Sequence, residues 1–407
     1  MGGGRRGCRQ VNAMNVLLVA HELTLTGAPH SLLRQARYLR AAGHEVRVWA
    51  LSGGDLLERY VDEGFPPEMV ADDLREIMGK LASESCRFDL AICNTIATYR
   101  CVEAMRRLRL PVVWFIRETH LLDEWIWLFP DFARLFRSMN CLYTVSEYAA
   151  SIVGEYNPNV RIVRNSVADS FKEFTSPGAN ASFGFIGSII EPKGIDLLVG
   201  AFLDVLREFP GVELHIAGET PTDDLGDRLR DATRHVQSIH WLGPVRGEAK
   251  RRFFDLVDVL CMPSLDEPCG LSLLEGAMFG KALVATDRVG ANYIVDERCG
   301  RVAKAGNKDS LAAALRSFAA MDAERRAKFG VHARERYLSL GTPAMERDGV
   351  LKMLADNAHM ASSPPPSSWR SWRPPFLREV RHLNGLRRFY IGKWRVFSLH
   401  GEGVRRR

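Results

Sequence analysis

Short apolar runs alternate with amphipathic helical segments along this chain, in two successive series. The first series predicts strands over 15–20, 45–50, 89–93, 112–116 and 142–145. The second series predicts strands over 183–186, 213–217, 240–242, 259–262 and 282–285. Parallel strands need a crossover between them, usually a helix, so this alternation indicates two mostly parallel sheets covered by helices. The sequence therefore predicts an α/β protein with two doubly wound domains that face one another across a cleft.

Changes in composition predict where the domains begin and end. The polar segment 165–181 contains Pro and Gly and suits a linker, and the run SSPPPSS at 362–368 cannot continue a helix. A chain of 407 residues is long enough for two separate cores. The predicted division is a disordered leader at 1–13, a first domain at 14–170, a second domain at 171–340, a helix at 341–360 that returns towards the first domain, and a tail at 361–407.

The lack of a recognisable targeting signal and the scattered cysteines both favour a protein of the cytoplasm. No apolar run approaches the roughly 18 residues that a membrane-spanning helix needs, and the run at 15–20 is too short for the core of a signal peptide. The eight cysteines are scattered without a C-x-x-C pair, which indicates reduced, buried thiols and neither disulfides nor a zinc site. We expect a cytoplasmic protein, which could also lie peripherally on the inner face of a membrane.

Positive charge is concentrated at the carboxyl terminus. Residues 361–407 carry eleven Arg and Lys against two Glu, and seven aromatic residues lie among them. The net charge of the whole chain is +6, so the preceding residues are mildly acidic. Arginine with tryptophan suits an anionic membrane surface, a nucleic acid or another protein. We favour a membrane surface contacted through residues 369–407 and expect no nucleic acid, although the tail could instead pack on the first domain or be disordered.

The segment 261–286 combines two glutamates with the start of a helix. Predicted strands at 259–262 and 282–285 flank a helix, so the helix begins beyond the carboxyl end of a buried strand. Free amides near Gly270 and Leu271, at the positive end of the helix dipole, would attract a phosphate. Glu275 could accept two hydrogen bonds from a ribose diol, and Glu267 could reach a sugar hydroxyl. The pattern predicts a nucleotide-sugar site.

With these residues the chain resembles the retaining glycosyltransferases of the group-1, family-4 kind, which have the GT-B fold of two facing Rossmann-like domains. The most specific match is Pro263-Ser264, followed by Glu267-x7-Glu275 and Gly280-Lys281. Weaker matches follow the order of the family at 26–28, 145–147, 163–165, 187–194, 217–219 and 242–245. The resemblance covers roughly residues 14–357.

The resemblance implies roles for individual residues. Lys193 would neutralise the donor diphosphate, Glu275 would hold the ribose and Glu267 would bind the transferred sugar. The other positions that it assigns to the donor site are Gly27, Gly187, Gly218, Val245, Gly270 and Leu271. Breaking a glycosyl–phosphate bond builds negative charge on the leaving diphosphate, which a lysine and backbone amides would stabilise. We expect no cofactor and no metal, because the chain has no Asp-x-Asp motif and this fold class is not expected to bind Mg²⁺.

The chain departs from the family pattern near the predicted reaction centre. Ser188 stands where the family often has an arginine, and Arg117 stands where it commonly has a histidine. Arg117 could bind a carboxylate bidentately, or His120 could supply the missing imidazole. Alternatively, Arg117 forms only a surface salt bridge with Glu118 or another neighbour.

The resemblance implies a glycosyltransferase. It would move a sugar, with retention, from a nucleotide-diphosphate sugar to a glycan or lipid-linked acceptor, in the synthesis of a surface polysaccharide, lipopolysaccharide or glycolipid. Two alternatives keep the fold: a sugar-nucleotide epimerase, and a catalytically silent binding protein, which Ser188 and Arg117 favour slightly. Neither the base, the sugar, the acceptor nor the linkage follows from the sequence.

Overall fold

Two parallel sheets, each covered by helices on both faces, form most of the molecule. The computed structural model describes residues 13–84, 88–220 and 225–358, together with the backbone of four strands between residues 378 and 406. The predicted leader lies outside the described residues except for its last one. No helix in the described part of the chain is long and apolar enough to cross a membrane.

The first sheet has seven parallel strands in the order β3-β2-β1-β4-β5-β6-β7. Its strands are β1 (Asn15–Ala20), β2 (Glu45–Ala50), β3 (Pro67–Met69), β4 (Leu90–Asn94), β5 (Val112–Phe115), β6 (Leu142–Thr144) and β7 (Val160–Ile162). Its helices are α1 (Gly27–Ala41), α2 (Leu57–Asp62), α3 (Leu74–Glu84), α4 (Tyr99–Arg107), α5 (His120–Leu128), α6 (Pro130–Arg137) and α7 (Glu147–Tyr156), with a 3-10 turn at Ile96–Thr98.

The second sheet has six parallel strands in the order β10-β9-β8-β11-β12-β13. Its strands are β8 (Ser182–Ile186), β9 (Glu213–Ala217), β10 (Ile239–Gly243), β11 (Val259–Met262), β12 (Ala282–Thr286) and β13 (Gly300–Ala303). The helices that follow β8 are α8 (Ile195–Glu208), α9 (Leu225–Thr233), α10 (Gly247–Leu256), α11 (Leu271–Met278), α12 (Lys308–Ala319), α13 (Ala323–Leu340) and α14 (Pro343–Asn357), with 3-10 turns at Glu191–Lys193 and Gly290–Ile294.

Each sheet separates two hydrophobic cores, one on each face. In β1 the side chains of Leu17 and Val19 join one core, whereas those of Val16 and Leu18 join the other. Strand β11 divides in the same way between the two cores of the second sheet. Strands buried on both faces need apolar residues at every position, which is why they are continuous apolar runs in the sequence. The predicted bounds of β1, β2, β9 and β11 are confirmed to the residue.

Three short strands of the two parallel sheets were not predicted, and all three lie at the edges of these sheets. They are β3, β7 and β13, which occupy the outer positions in the two strand orders. An edge strand has a neighbour on only one side, and β3 and β7 have no fully buried residue. The hydrophobic pattern that identifies a central strand is therefore weak in them.

The predicted tail is described only through the backbone of four strands. These are β14 (Arg378–Arg381), β15 (Arg387–Ile391), β16 (Trp394–Leu399) and β17 (Val404–Arg406), which pair antiparallel as a separate sheet. The segment 359–377, with the run SSPPPSS, lies outside the described residues, and so do the side chains of the four strands.

Candidate functional site

A cavity of about 440 Å³ lies between the two sheets. In each sheet the strand order changes direction at one point, between β1 and β4 in the first and between β8 and β11 in the second. The cavity is lined by residues that follow these four strands: His21 after β1, Thr95 after β4, Gly187 after β8 and Ser264 after β11. Open parallel sheets bind ligands beyond the carboxyl ends of the strands at such switch points. The cavity therefore lies where both domains offer a binding edge.

The second domain contributes a lysine–glutamate pair to the cavity. Lys193, in the 3-10 turn after β8, donates to the Glu267 carboxylate. The other oxygen of Glu267 accepts from the amide of Gly270 at 3.1 Å and weakly from that of Cys269 at 3.4 Å. The carboxylate is mostly buried, with 12% of the side chain exposed. A cluster of a lysine and helix-start amides thus already surrounds one negative charge in this cavity.

Helix α11 begins at the wall of this cavity. Gly270, Leu271 and Ser272 line it, and the amides of Leu271 and Ser272 are too early in the helix to find an acceptor in a preceding turn. Gly270 has a left-handed backbone with φ of +86°, and a Cβ there would lie 2.8 Å from a Val289 methyl and 2.9 Å from the Met262 sulfur. Glycine is therefore required for the chain to turn sharply from the Glu267 loop into α11.

Two further predicted positions hold the loop beside Lys193. Gly187 lines the cavity, and its amide donates to the Ala217 carbonyl at 3.1 Å. Gly218 does not line the cavity, but a Cβ on it would lie only 1.8 Å from the Gly187 carbonyl oxygen. Gly218 therefore acts on the cavity indirectly, by allowing the loops after β8 and β9 to touch.

Arg117 lies on the opposite wall and belongs to the first domain. Its guanidinium donates to the Asn94 side chain, to Ser31 Oγ at 2.9 Å and to Asn165 Oδ1 at 3.3 Å. Burial, reinforced by the charge of Arg34, lowers the pKa of Arg117 to about 10, so the guanidinium stays protonated at neutral pH. Its direct partners are neutral, and no carboxylate within the described residues forms an ion pair with it.

The alternative of a surface salt bridge between Arg117 and Glu118 is wrong. The Glu118 carboxylate accepts instead from the backbone amides of Arg117 at 2.9 Å and Ile96 at 3.2 Å. Burial raises the pKa of Glu118 above its ordinary value. Both residues line the cavity, so this wall presents a cation and a carboxylate that are not paired with each other.

His120 points towards a contact between the domains. Its Nδ1 lies 2.7 Å from Asp266 Oδ2, and its amide donates to the same oxygen at 3.3 Å. Thr119 and Tyr148 also donate to Asp266. Burial raises the pKa of Asp266, but these hydrogen bonds together lower it by more. The net shift of the Asp266 pKa is therefore downward. His120 does not line the cavity.

The remaining predicted residues divide between the cavity and its surroundings. Gly27 lines the cavity at the start of α1. Glu275 lies on α11 and forms an ion pair with Lys250 of α10, and its side chain is 19% exposed. Val245 packs against one core of the second sheet. Neither Glu275 nor Val245 lines the cavity.

Several site residues were missed from the sequence. Asn94 ends β4, Ser31 lies on α1, Asn165 lies in the predicted linker, and together they hold Arg117. Asp266 joins the domains from a loop in which the sequence indicated only Glu267. The signal that could have found Asn94 and Asp266 was their position, since Asn94 ends a strand and Asp266 follows one at the binding edge. Within the described part of the chain, the group of three side chains that could hold a metal lies outside this cavity.

Two family models match the chain, one for each domain. The model of glycosyl-transferase family 4 matches residues 12–152, and that of the glycosyl transferases group 1 matches residues 180–320. The first match contains β1 to α6 and β6, and the second contains β8 to α12. Together they span both walls of the cavity.

Curated relatives and solved structures are similar to this chain. A phosphatidyl-myo-inositol mannosyltransferase of Mycolicibacterium smegmatis is 33% identical over 134 residues, which are 32% of this chain and 34% of the relative. A glycogen synthase of Mycobacterium tuberculosis is 24% identical over 206 residues, or 49% of this chain and 48% of the relative. The chain thus matches a third to a half of the length of these relatives.

The fold is also that of solved glycosyltransferase structures. Anabaena HepE, crystallised in complex with UDP, superposes with a TM-score of 0.72 at 18% identity, over 84% of this chain and all of HepE. With two parallel sheets, a cavity at both switch points and the two family models, the chain belongs to the group-1, family-4 glycosyltransferases and has the two-domain GT-B fold.

Proposed function

We propose that this protein transfers a sugar, with retention of configuration, from a nucleotide-diphosphate sugar to a glycan or lipid-linked acceptor. The acceptor would belong to the synthesis of a surface polysaccharide, lipopolysaccharide or glycolipid. The observation that carries the proposal is the group of donors in the cavity, in which Lys193 and the amide of Gly270 converge on the Glu267 carboxylate. Support for the donor class comes from HepE, which was also crystallised with UDP-glucose.

The geometry suits the charges of glycosyl transfer. As the glycosyl–phosphate bond breaks, the leaving diphosphate gains negative charge, which Lys193 and the first amides of α11 would stabilise. The sugar gains positive charge at the same time, and the Glu267 carboxylate would stabilise that charge. Arg117, protonated and without a carboxylate partner in the described structure, would bind an anionic group of the donor or acceptor from the other wall.

Thermal stabilisation by nucleotides tests the donor class. We expect one of UDP, GDP, ADP or CMP, or its sugar, to raise the melting temperature of the protein without added metal, because a ligand that binds only the folded state stabilises it. Lys193→Ala should abolish this shift, whereas Lys172→Ala, which changes an exposed lysine outside the cavity, should leave it intact. No response to any nucleotide would favour a catalytically silent protein.

Turnover tests the assignment of the reacting residues. With the donor identified, Glu267→Gln and Lys193→Ala should each reduce transfer by about 100-fold, in line with loss of one preorganised charge-stabilising group. The anomeric configuration of the product, read by NMR, tests retention. Full transfer activity of Glu267→Gln would overturn the site assignment. Conversion of the donor sugar into its epimer by the wild type, without an acceptor, would indicate an epimerase.

We also propose that the basic tail binds an anionic membrane surface. Residues 361–407 carry a net charge of +9, and each Lys or Arg near an anionic leaflet contributes on the order of 1 kcal/mol. We expect the full chain to sediment with phosphatidylserine vesicles, less so at high salt, and little with phosphatidylcholine vesicles. Changing Arg405, Arg406 and Arg407 together to Glu should weaken this binding. Equal binding to both vesicles would contradict the proposal.

A further inference from the structure

Two histidines and a glutamate meet at the end of the second sheet that lies away from the cavity. Glu213 is the first residue of β9, and His215 follows two positions later. His240 lies near the start of β10, directly opposite His215 in the register of the two parallel strands. Because the cavity lies beyond the carboxyl ends of the strands, these residues are at the other end of the sheet. They form no part of the site described above.

The three side chains share one face of the sheet. Residues two apart in a strand point to the same side, so Glu213 and His215 do so, and His240 joins them through the register. The two imidazole rings stack with centroids 4.7 Å apart and planes 17° apart. Glu213 Oε2 lies 3.3 Å from His215 Nε2 and 3.9 Å from His240 Nε2. One carboxylate oxygen and two imidazole nitrogens thus converge from two strands.

The hydrogen bonding of these histidines is incomplete in the described structure. His215 is 6% exposed, yet its Nδ1 has no hydrogen-bond partner, and neither has the buried Nε2 of His240. A buried imidazole nitrogen without a partner is costly, and an additional group that binds His240 Nε2 would relieve this cost.

We propose that Glu213, His215 and His240 form a binding site for a divalent transition-metal ion, with Zn²⁺ as the preferred ion. Zinc takes nitrogen and oxygen ligands at about 2.0–2.2 Å, so ligand atoms in a tetrahedral site lie roughly 3.3 Å apart. The Glu213–His215 distance has that value, and all three ligand atoms lie within 4.8 Å of one another. Because the two imidazole planes are stacked, the His240 side chain, which is 37% exposed, must rotate out of the stack to direct its Nε2 at the same ion.

The site would stabilise the edge of the second sheet. Strand β10 is the outermost strand on this side and is only partly buried. A metal held by β9 and β10 together would cross-link the edge strand to its neighbour and add its binding free energy to the folded state. Three protein ligands leave the fourth position for water. The expectation that no metal serves the donor diphosphate concerns the cavity and is independent of this site.

Metal titration of the full-length protein tests the proposal. After treatment with EDTA and removal of the chelator, we expect calorimetry with ZnCl₂ to show binding that His240→Ala and Glu213→Gln each weaken at least about tenfold. CoCl₂ should give the visible absorption bands of a tetrahedral site in the wild type, and these should be lost in both variants. Zinc should also raise the melting temperature of the wild type, and should raise that of His240→Ala and Glu213→Gln by less.

A neighbouring histidine supplies the matched control. His235 is exposed and lies five positions before His240, outside the cluster. His235→Ala should bind zinc like the wild type. Both ligand positions to be changed are partly exposed, so the variants should fold, and their melting temperatures without metal check this. Absence of zinc binding, or equal affinity in wild type and His240→Ala, would overturn the proposal.

Discussion

At the scale of single residues, Asp266 shows how one buried charge joins the two domains. The residue follows β11 of the second domain and is 6% exposed. It accepts hydrogen bonds from three residues of the first domain: Thr119 at 2.6 and 2.7 Å, His120 Nδ1 at 2.7 Å and Tyr148 at 2.6 Å. A buried carboxylate is tolerated only when such donors replace its water. The relative position of the two walls of the cavity therefore depends on this carboxylate.

Replacing Asp266 by asparagine should destabilise the protein by about 2 kcal/mol at pH 7, because the amide nitrogen cannot accept from these donors. The native pKa of Asp266 is depressed, so its stabilising effect is complete above the unfolded value of about 3.9 and is lost as the pH falls through the lower native value. Urea unfolding of wild type and Asp266→Asn from pH 7 to pH 3 measures this.

The exposed Asp131 provides a control for this comparison. Its side chain is 60% exposed and lies 3.9 Å from Arg134, so Asp131→Asn should change the free energy of unfolding by less than about 0.5 kcal/mol. A destabilisation by Asp266→Asn that stays constant down to pH 3 would contradict the assignment of the effect to the ionised carboxylate.

At the scale of elements, the start of α11 depends on one backbone conformation. Gly270 directly precedes the helix with positive φ, and its amide donates to Glu267. Helix α11 has only eight residues and packs between β11, β12 and α13. Its direction is therefore set by tertiary packing more than by its own propensity. The turn at Gly270 allows the first amides of the helix to reach the cavity.

Alanine at Gly270 should destabilise the protein by about 1–3 kcal/mol, since a Cβ would be strained at this φ and would press on Val289 and Met262. It should also weaken the binding of the nucleotide diphosphate that stabilises the wild type. Gly79 in α3 is the control, because no atom lies within 4 Å of an added Cβ there. Gly79→Ala should stabilise by about 0.5–1 kcal/mol and leave nucleotide binding unchanged. Equal melting temperatures for the two variants would refute this account.

At the scale of the whole molecule, the last helix connects the second domain back to the first. Helix α14 follows α13 and packs against α1. Its buried Glu346 accepts two hydrogen bonds from Arg34, at 2.8 and 3.1 Å, and a third from Ser166 Oγ at 2.6 Å. A bidentate arginine–carboxylate pair fixes both the distance and the orientation of the two helices. Helix α14 therefore restricts how the two domains can move relative to each other.

Glu346→Ala should destabilise the protein by about 3–5 kcal/mol, because it leaves the largely buried Arg34 guanidinium without its carboxylate. Lys352→Ala on the same helix is the control. It removes an exposed i,i+4 pair with Asp356 and should cost less than about 0.5 kcal/mol. Differential scanning calorimetry measures the melting of both variants. If the wild type unfolds in a single transition and Glu346→Ala unfolds in two, the two domains have become uncoupled in the variant. Similar melting temperatures for the two variants would contradict the proposed anchor.

The sequence by itself determined the central strands and the loops that follow them. Strands such as β1 and β11 are buried on both faces, so their residues must be continuously apolar, and this can be read locally. Parallel strands place all their carboxyl ends at one edge, which is why Glu267 and Gly270 could be predicted there, whereas the role of Lys193 came from the family resemblance. The edge strands β3 and β7 lack such burial and gave no local signal.

Only the tertiary structure decided which partner each polar side chain takes. His120 pairs with Asp266, which lies 146 positions away in the chain, and Arg117 contacts Ser31 across 86 positions. Glu275 pairs with Lys250 of α10 and does not line the cavity. Hydrogen bonds and ion pairs depend on distances of a few tenths of an ångström, which the packing of helices on sheets sets. Local sequence patterns record burial, whereas the pairing of polar groups depends on how distant segments are brought together in the folded chain.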